Sequence, residues 1–195
     1  MGFNNDITMN NKIWFTSDLH FCHDREFLYK PRGFDNVRDM NRAIVENWNA
    51  VVQPEDTVYI LGDIMLNDNE EGMRLLNSLN GHIHIIIGNH DTDTRIALYK
   101  TCPKVEEITH ATRITYGKFK FFLCHYRAEV ANLDEAHLSQ HPINLYGHTH
   151  QKTPFYRDNP WYYNVGVDSH NCTPICIDQI IEECRAKHQE CGSML

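Results

Sequence analysis

Short apolar runs alternate with polar, glycine-bearing loops along the first half of this chain, and two hydrophobic periods take turns. Ile13, Trp14 and Phe15 lie in a strand predicted over 12–17. Asp35 or Asn36 can cap a helix that carries Val37, Met40, Ile44, Trp48 and Val51 at spacings of three and four. A second strand follows over 57–61 and ends at Gly62-Asp63. A helix over 69–79 turns Met73, Leu76 and Leu79 inward and is stopped by Asn80-Gly81. The third strand, 82–87, ends at Gly88-Asn89, and 91–100 reads as helical. Within the third strand His82 and His84 share one face, as partly exposed residues with no metal role.

In the second half strands crowd together. Residues 114–119 suggest a hairpin whose second arm runs through Phe122 and Leu123 to Cys124-His125. Further strands are predicted over 143–146, ending at Gly147, and over 161–167, with a closing helix over 178–187 capped by Asp178. Early alternation and late crowding predict a layered α/β domain, the late strands forming a second sheet against the first. At 195 residues, with no repeat or linker, the chain suits one domain, its polar start (1–11) frayed.

Composition narrows the function more than the fold. Hydrophobic residues at 42% and charged residues at 23% are ordinary for a globular protein. A net charge of -8 argues against long nucleic acid held by phosphate neutralisation. It leaves room for a small phosphorylated substrate, because local charge at a site can oppose the global balance. Seven scattered cysteines fit neither a disulfide framework nor a zinc pair, and none is followed six positions later by arginine, as a cysteine-based phosphatase requires. Reduced thiols in a cytoplasm are expected. No signal peptide or membrane-length apolar run is visible, so no membrane association is expected; the oligomeric state is open.

The candidate chemistry lies where the strands end. Asp18 and His20 leave the first strand, Asp63 the second, Asn89 and His90 the third, and His125, His148 and His150 leave later ones. In open α/β sheets such loops form the ligand crevice. Alternate residues of a continuing strand face opposite ways, so His148 and His150 need a bent loop to serve one metal centre. Gly62, Gly88 and Gly147 would let the backbone turn beside the cluster. Imidazole, carboxylate and amide donors suit borderline divalent ions such as Mn, Fe, Zn or Ni, and a carboxylate such as Asp63 can bridge two of them. Two ions about 3.5–4 Å apart lower the pKa of bound water and clamp phosphoryl oxygens during in-line attack.

The series Asp18-x-His20, Gly62-Asp63, Gly88-Asn89-His90-Asp91, His125 and Gly147-His148-x-His150 resembles the calcineurin-like metallophosphoesterases, in family order up to about Val167. Asn144-Leu145-Tyr146-Gly147 and Asn164-Val165-Gly166-Val167-Asp168 look like a small bacterial or phage-type subgroup. The resemblance implies a four-layer α-β-β-α sandwich, two mixed sheets flanked by helices. It implies one metal held by Asp18, His20, Asp63 and His150, and another held by Asp63, Asn89, His125 and His148, with Mn favoured in vitro. His90 is implied as the catalytic imidazole, and a metal-bridging hydroxide as the nucleophile toward a small phosphomonoester or phosphodiester, such as a nucleotide. Many relatives carry an aspartate three residues after the bridging one to orient that imidazole; here Leu66 stands there, leaving Asp91, a backbone carbonyl or water. His23 and Arg127 are candidate substrate contacts, each with a solvated or structural alternative. A nuclease and a non-catalytic metal-binding scaffold are the competing functions.

Overall fold

The computed structural model describes residues 11–130 and 141–192, so the frayed start expected over 1–11 lies, but for its last residue, outside the described part. Five strands form the first sheet in the order β4-β3-β2-β1-β9: β1 (Ile13–Thr16), β2 (Thr57–Ile60), β3 (His82–Ile86), β4 (Val105–Thr109) and β9 (Ile175–Cys176). Neighbours from β1 to β4 run parallel, whereas β9 runs antiparallel beside β1. The second sheet has the order β5-β6-β7-β8, from Ala111–Tyr116, Phe119–Cys124, Pro142–Tyr146 and Tyr162–Asn164. Its hairpin is antiparallel and its other pairings are parallel. Two mixed sheets flanked by helices are thus present, as expected.

Alternation along β1 to β3 decides which side chains meet which layer. Trp14, Val58, Ile60, Ile83 and Ile85 join one apolar cluster with Met40, Ile44 and Trp48 of α2 (Val37–Val51) and Leu75 and Leu76 of α3 (Asn69–Ser78). Phe15, Leu61 and Ile86 join a second cluster with Phe121, Leu123, Leu145 and Tyr163 of the other sheet. Ile177, Ile180 and Cys184 of α5 (Ile177–Gly192) close that cluster. Each large side chain so buried contributes about 1.5–3 kcal/mol.

Asn36 and Asp68 cap α2 and α3 by accepting from the N–H groups of Asp39 and Glu71. Among the described residues the remaining α-helices are the single turn α1 (Glu26–Tyr29) and α4 (Asp93–Tyr99). α5 begins one residue earlier than expected, so Asp178 lies in its first turn rather than at the cap. The strand expected over 161–167 stops at Asn164, where the Asn164 side chain accepts from the Gly166 N–H and the chain turns toward Ser17. Among the described residues no helix is long and apolar enough to cross a membrane.

Candidate metal centre

Backbone hydrogen bonds lace the strand-end loops together along one edge. The Asp18, His20 and Phe21 N–H groups donate to the carbonyls of Gly62, Asp63 and Ile64 at 3.0, 3.0 and 2.9 Å. The Gly147 N–H donates to the His125 carbonyl at 3.0 Å, and the His148 N–H to Oδ2 of Asp18 at 2.8 Å. Asn41, a buried polar residue within the apolar stripe of α2, accepts from the Cys22 N–H at 3.2 Å and secures the loop after β1.

The backbone conformation explains how His148 and His150 can serve one centre. Asp18, His20, Asp63, His148 and His150 have φ of 59°, 50°, 57°, 66° and 49°, in the left-handed region. The bent loop places His150 with Asp18 and His20, and His148 with Asp63 and His125. The three glycines divide their roles. Gly62 makes a turn, with φ 89°. Gly88 and Gly147 are not in the left-handed region and instead permit close approach. A Cβ on Gly88 would lie 2.3 Å from Asp63 Oδ1, and one on Gly147 would lie 2.0 Å from Ser17 Oγ.

Donor atoms within each of the groups Asp18, His20, His150 and Asp63, His125, His148 lie within 4.8 Å of one another. The groups meet at Asp63, whose Oδ2 is 3.7 Å from His20 Nε2 and 3.5 Å from His125 Nε2. Asn89 Oδ1 lies 2.9 Å from His125 Nε2. All seven expected ligands are therefore together. Asp18 Oδ1 and both ring nitrogens of His20 are buried without a hydrogen-bond partner. Orphaned buried polar atoms are costly and rare, and this donor set suits borderline divalent ions. The residues fit two such ions.

Burial pushes the Asp18 carboxyl above its ordinary range and drives His20 well below its own, keeping His20 the neutral imidazole that ligation needs. Burial also lifts Asp63, but the hydrogen bond and charge of His125, the His90 N–H and His20 outweigh it and hold the carboxyl at about 2. For His125 burial acts downward, and the carboxylates Asp63 and Asp18 raise it overall. His125 Nδ1 lies 2.6 Å from the Leu61 carbonyl. A bound ion would replace the Nε2 proton that faces Asp63 and Asn89, with Nδ1 donating to the Leu61 carbonyl.

Residues 12–173 match the calcineurin-like phosphoesterase superfamily domain. The chain belongs to that family. An uncharacterised protein of Methanocaldococcus jannaschii is 34% identical over 178 residues, 88% of this chain and 90% of its own. The gene 66 protein of Mycobacterium phage D29 is 26% identical over 189 residues, covering 85% of this chain and 92% of the phage protein. A protein of unknown function from Aquifex aeolicus superposes with a TM-score of 0.67 at 25% identity, over 89% of this chain and 99% of its own. The family is metal-dependent, in keeping with the two donor groups.

Around these groups the structure goes beyond the sequence reading in two places, at one of the candidates for orienting His90 and at a pair that the sequence did not mark. Asp91 does not orient His90. Its Oδ2 accepts from the Asp63 and Gly88 N–H groups at 2.9 and 2.8 Å, and its Oδ1 from the Ile64 N–H at 3.3 Å and the Tyr99 hydroxyl at 2.8 Å. That carboxylate is committed to the loops. His90 itself lies edge-on to His20, centroids 5.4 Å apart, and its N–H donates to Asp63 Oδ1 at 2.8 Å. His23 stands 5.3 Å from His20 and 6.4 Å from His90, its Nδ1 buried without a partner. Arg127 stacks over Tyr156, 3.7 Å from the ring centroid.

The second place holds a buried pair not singled out from the sequence. Asp168 Oδ2 lies 2.8 Å from His150 Nδ1. Arg32 grips Asp168 with two bonds, at 3.0 and 2.8 Å, and also donates to the Asp18 carbonyl at 2.9 Å. Burial lifts the Asp168 carboxyl, but His150 and Arg32 together hold it well below the usual range. Asp168 follows the apolar run Val165-Gly166-Val167, the same signal that marked the other candidates. Arg32 carries no such mark, because its partner is 136 residues away.

Proposed function

We propose that this chain is a dinuclear-metal phosphoesterase acting on a small phosphomonoester or phosphodiester. Asp18, His20, Asp63 and His150 hold one divalent ion; Asp63, Asn89, His125 and His148 hold the other. The observation that carries the proposal is the pair of donor groups meeting at Asp63, with Asp18 Oδ1 and His20 Nε2 buried and unpartnered. Divalent ions in these groups supply a lowered pKa for water and positive charge for the phosphoryl oxygens. The protein fixes ring orientations through the Leu61 carbonyl and Asp168. His90, which stands beside His20 and is free of the Asp91 carboxylate, gives a proton to the leaving oxygen, an effect worth about 10²–10⁴-fold. His23 faces the same space and contacts the substrate.

Manganese is the metal for a first assay, while iron, zinc and nickel suit the same donors. All seven cysteines are unpaired, which supports a reducing compartment such as the cytoplasm. Manganese-loaded protein should hydrolyse members of a panel of aryl phosphates, monoesters, diesters and cyclic nucleotides, and Asp63→Ala should remove that activity. Identical behaviour of the two proteins, with nothing released, would refute the proposal and favour a metal-binding scaffold.

A further inference from the structure

Among the described residues two large apolar side chains are exposed, Phe27 at 72% and Tyr126 at 46%; Phe27 stands against His23, the neighbour of His20, and Tyr126 against His125 and His148. Phe27 packs edge-on to His23 at 5.7 Å, and His23 in turn lies against His20. Tyr126 packs edge-on to His125 at 5.1 Å and to His148 at 4.9 Å. Each ring therefore stands beside a different donor group, Phe27 on the side of His20 and Tyr126 on the side of His125 and His148. A single exposed aromatic is ordinary. Two, each set beside imidazoles of one polar cluster, are what the rim of a binding site would present.

The chemistry of the rim selects its occupant. The rings come from separate segments with histidines between them, so they do not form the continuous apolar patch that a docking protein covers. An aromatic face exposed to water is a stacking platform for a planar group. Between Phe27 and the donor groups lies His23, whose buried Nδ1 has no partner and is placed to bond a polar atom of a ligand.

We infer that the substrate is a phosphodiester with a planar group on each ester arm, nucleosides being the natural class, and that Phe27 and Tyr126 each stack one arm. This rests on the phosphoesterase function proposed above. Hydrolysis adds the OH of water to phosphorus and breaks one P–O ester bond; the departing oxygen takes a proton, leaving an alcohol and a monoester. A short diester brings few phosphates, so the net charge of -8 does not oppose it as it opposes a long strand.

The test compares thymidine 5′-(4-nitrophenyl phosphate) with methyl 4-nitrophenyl phosphate on the manganese-loaded full chain. The leaving group is shared and only the retained arm differs. The wild type should favour the thymidine ester about tenfold in kcat/KM, through KM, as expected for one base–aromatic stack. Of Phe27→Ala and Tyr126→Ala, one should erase that preference and the other should raise KM for both esters alike by about tenfold. Both positions are exposed, so the fold should survive, and metal content should match the wild type. A wild-type ratio near one, or two variants that leave every KM in place, would overturn the inference while leaving the phosphoesterase intact. Failure to hydrolyse either diester would also overturn it, and 4-nitrophenyl phosphate assayed beside them decides the phosphoesterase itself: release from that monoester keeps it, and no release counts against it.

Discussion

Left-handed backbone at five of the seven candidate ligands costs about 1 kcal/mol at each, and it is paired with buried donors that lack partners. Aspartate and histidine are enriched among the few non-glycine residues at φ of 49–66°, but a sequence does not mark which of them adopt it. The residue types, their strand-end places and the need for a bend between His148 and His150 were legible; the left-handed conformation that makes the bend was not. The two halves also differ in what stands behind their imidazoles. His125 leans on the neutral Leu61 carbonyl, and His150 on the charged pair Asp168–Arg32. Asp168→Asn should weaken one of the two metals by about 10–100-fold. Metal analysis at limiting manganese should then fall from two ions per chain toward one, and an unchanged count would contradict the role given to Asp168. His90→Asn should keep both metals and lower kcat by about 10²–10⁴-fold, most for poor leaving groups. A loss that follows metal content instead would make His90 a structural residue.

Elements with strong periodicity were legible and weak ones were not. The 3.6-residue stripes of α2 and α3 and the apolar cores of β1, β2, β3, β6 and β7 all appear within a residue or two of their expected bounds. Strand β4 gave no apolar run, since Glu106 and Glu107 interrupt it; these glutamates lie in an edge strand and pair outward with His82 and His84. Strand β9 has two residues and α1 four, too short for any period. Helix α4 starts two residues later than expected because Asp91 is drawn into the loops and Thr92 takes the cap. Buried Asp56 fastens the start of β1 to the approach to β2. It accepts from the Lys12 N–H, the Trp14 indole and the Gln53 N–H, each at 2.9 Å. Burial raises its pKa, but these donors outweigh burial and lower it. A lowered folded pKa means stability that is complete above the unfolded value of about 3.9 and lost as pH falls below it. Asp56→Ala should therefore cost about 2–3 kcal/mol in urea unfolding at neutral pH. The cost should shrink in acid, and a pH-independent penalty would contradict this account.

Across the whole molecule the division of labour is between two apolar clusters that hold the sheets and one polar edge where the strands end. Every expected ligand lies on that edge because parallel strands deliver their C-terminal loops to the same side. That regularity made the candidate site easier to read from the sequence than the topology around it. What sequence order hides is convergence over long separations, as between Arg32 and Asp168. The central claim is that two ions joined through Asp63 make this chain a phosphoesterase. The most direct test is a titration of metal-free protein with manganese, following 4-nitrophenol release from a monoester and a diester in parallel, 4-nitrophenyl phosphate and bis(4-nitrophenyl) phosphate. Release should rise until two equivalents are bound and stay at background throughout in Asp63→Ala. Background release from the wild type at every manganese level, or equal release from Asp63→Ala, would contradict it.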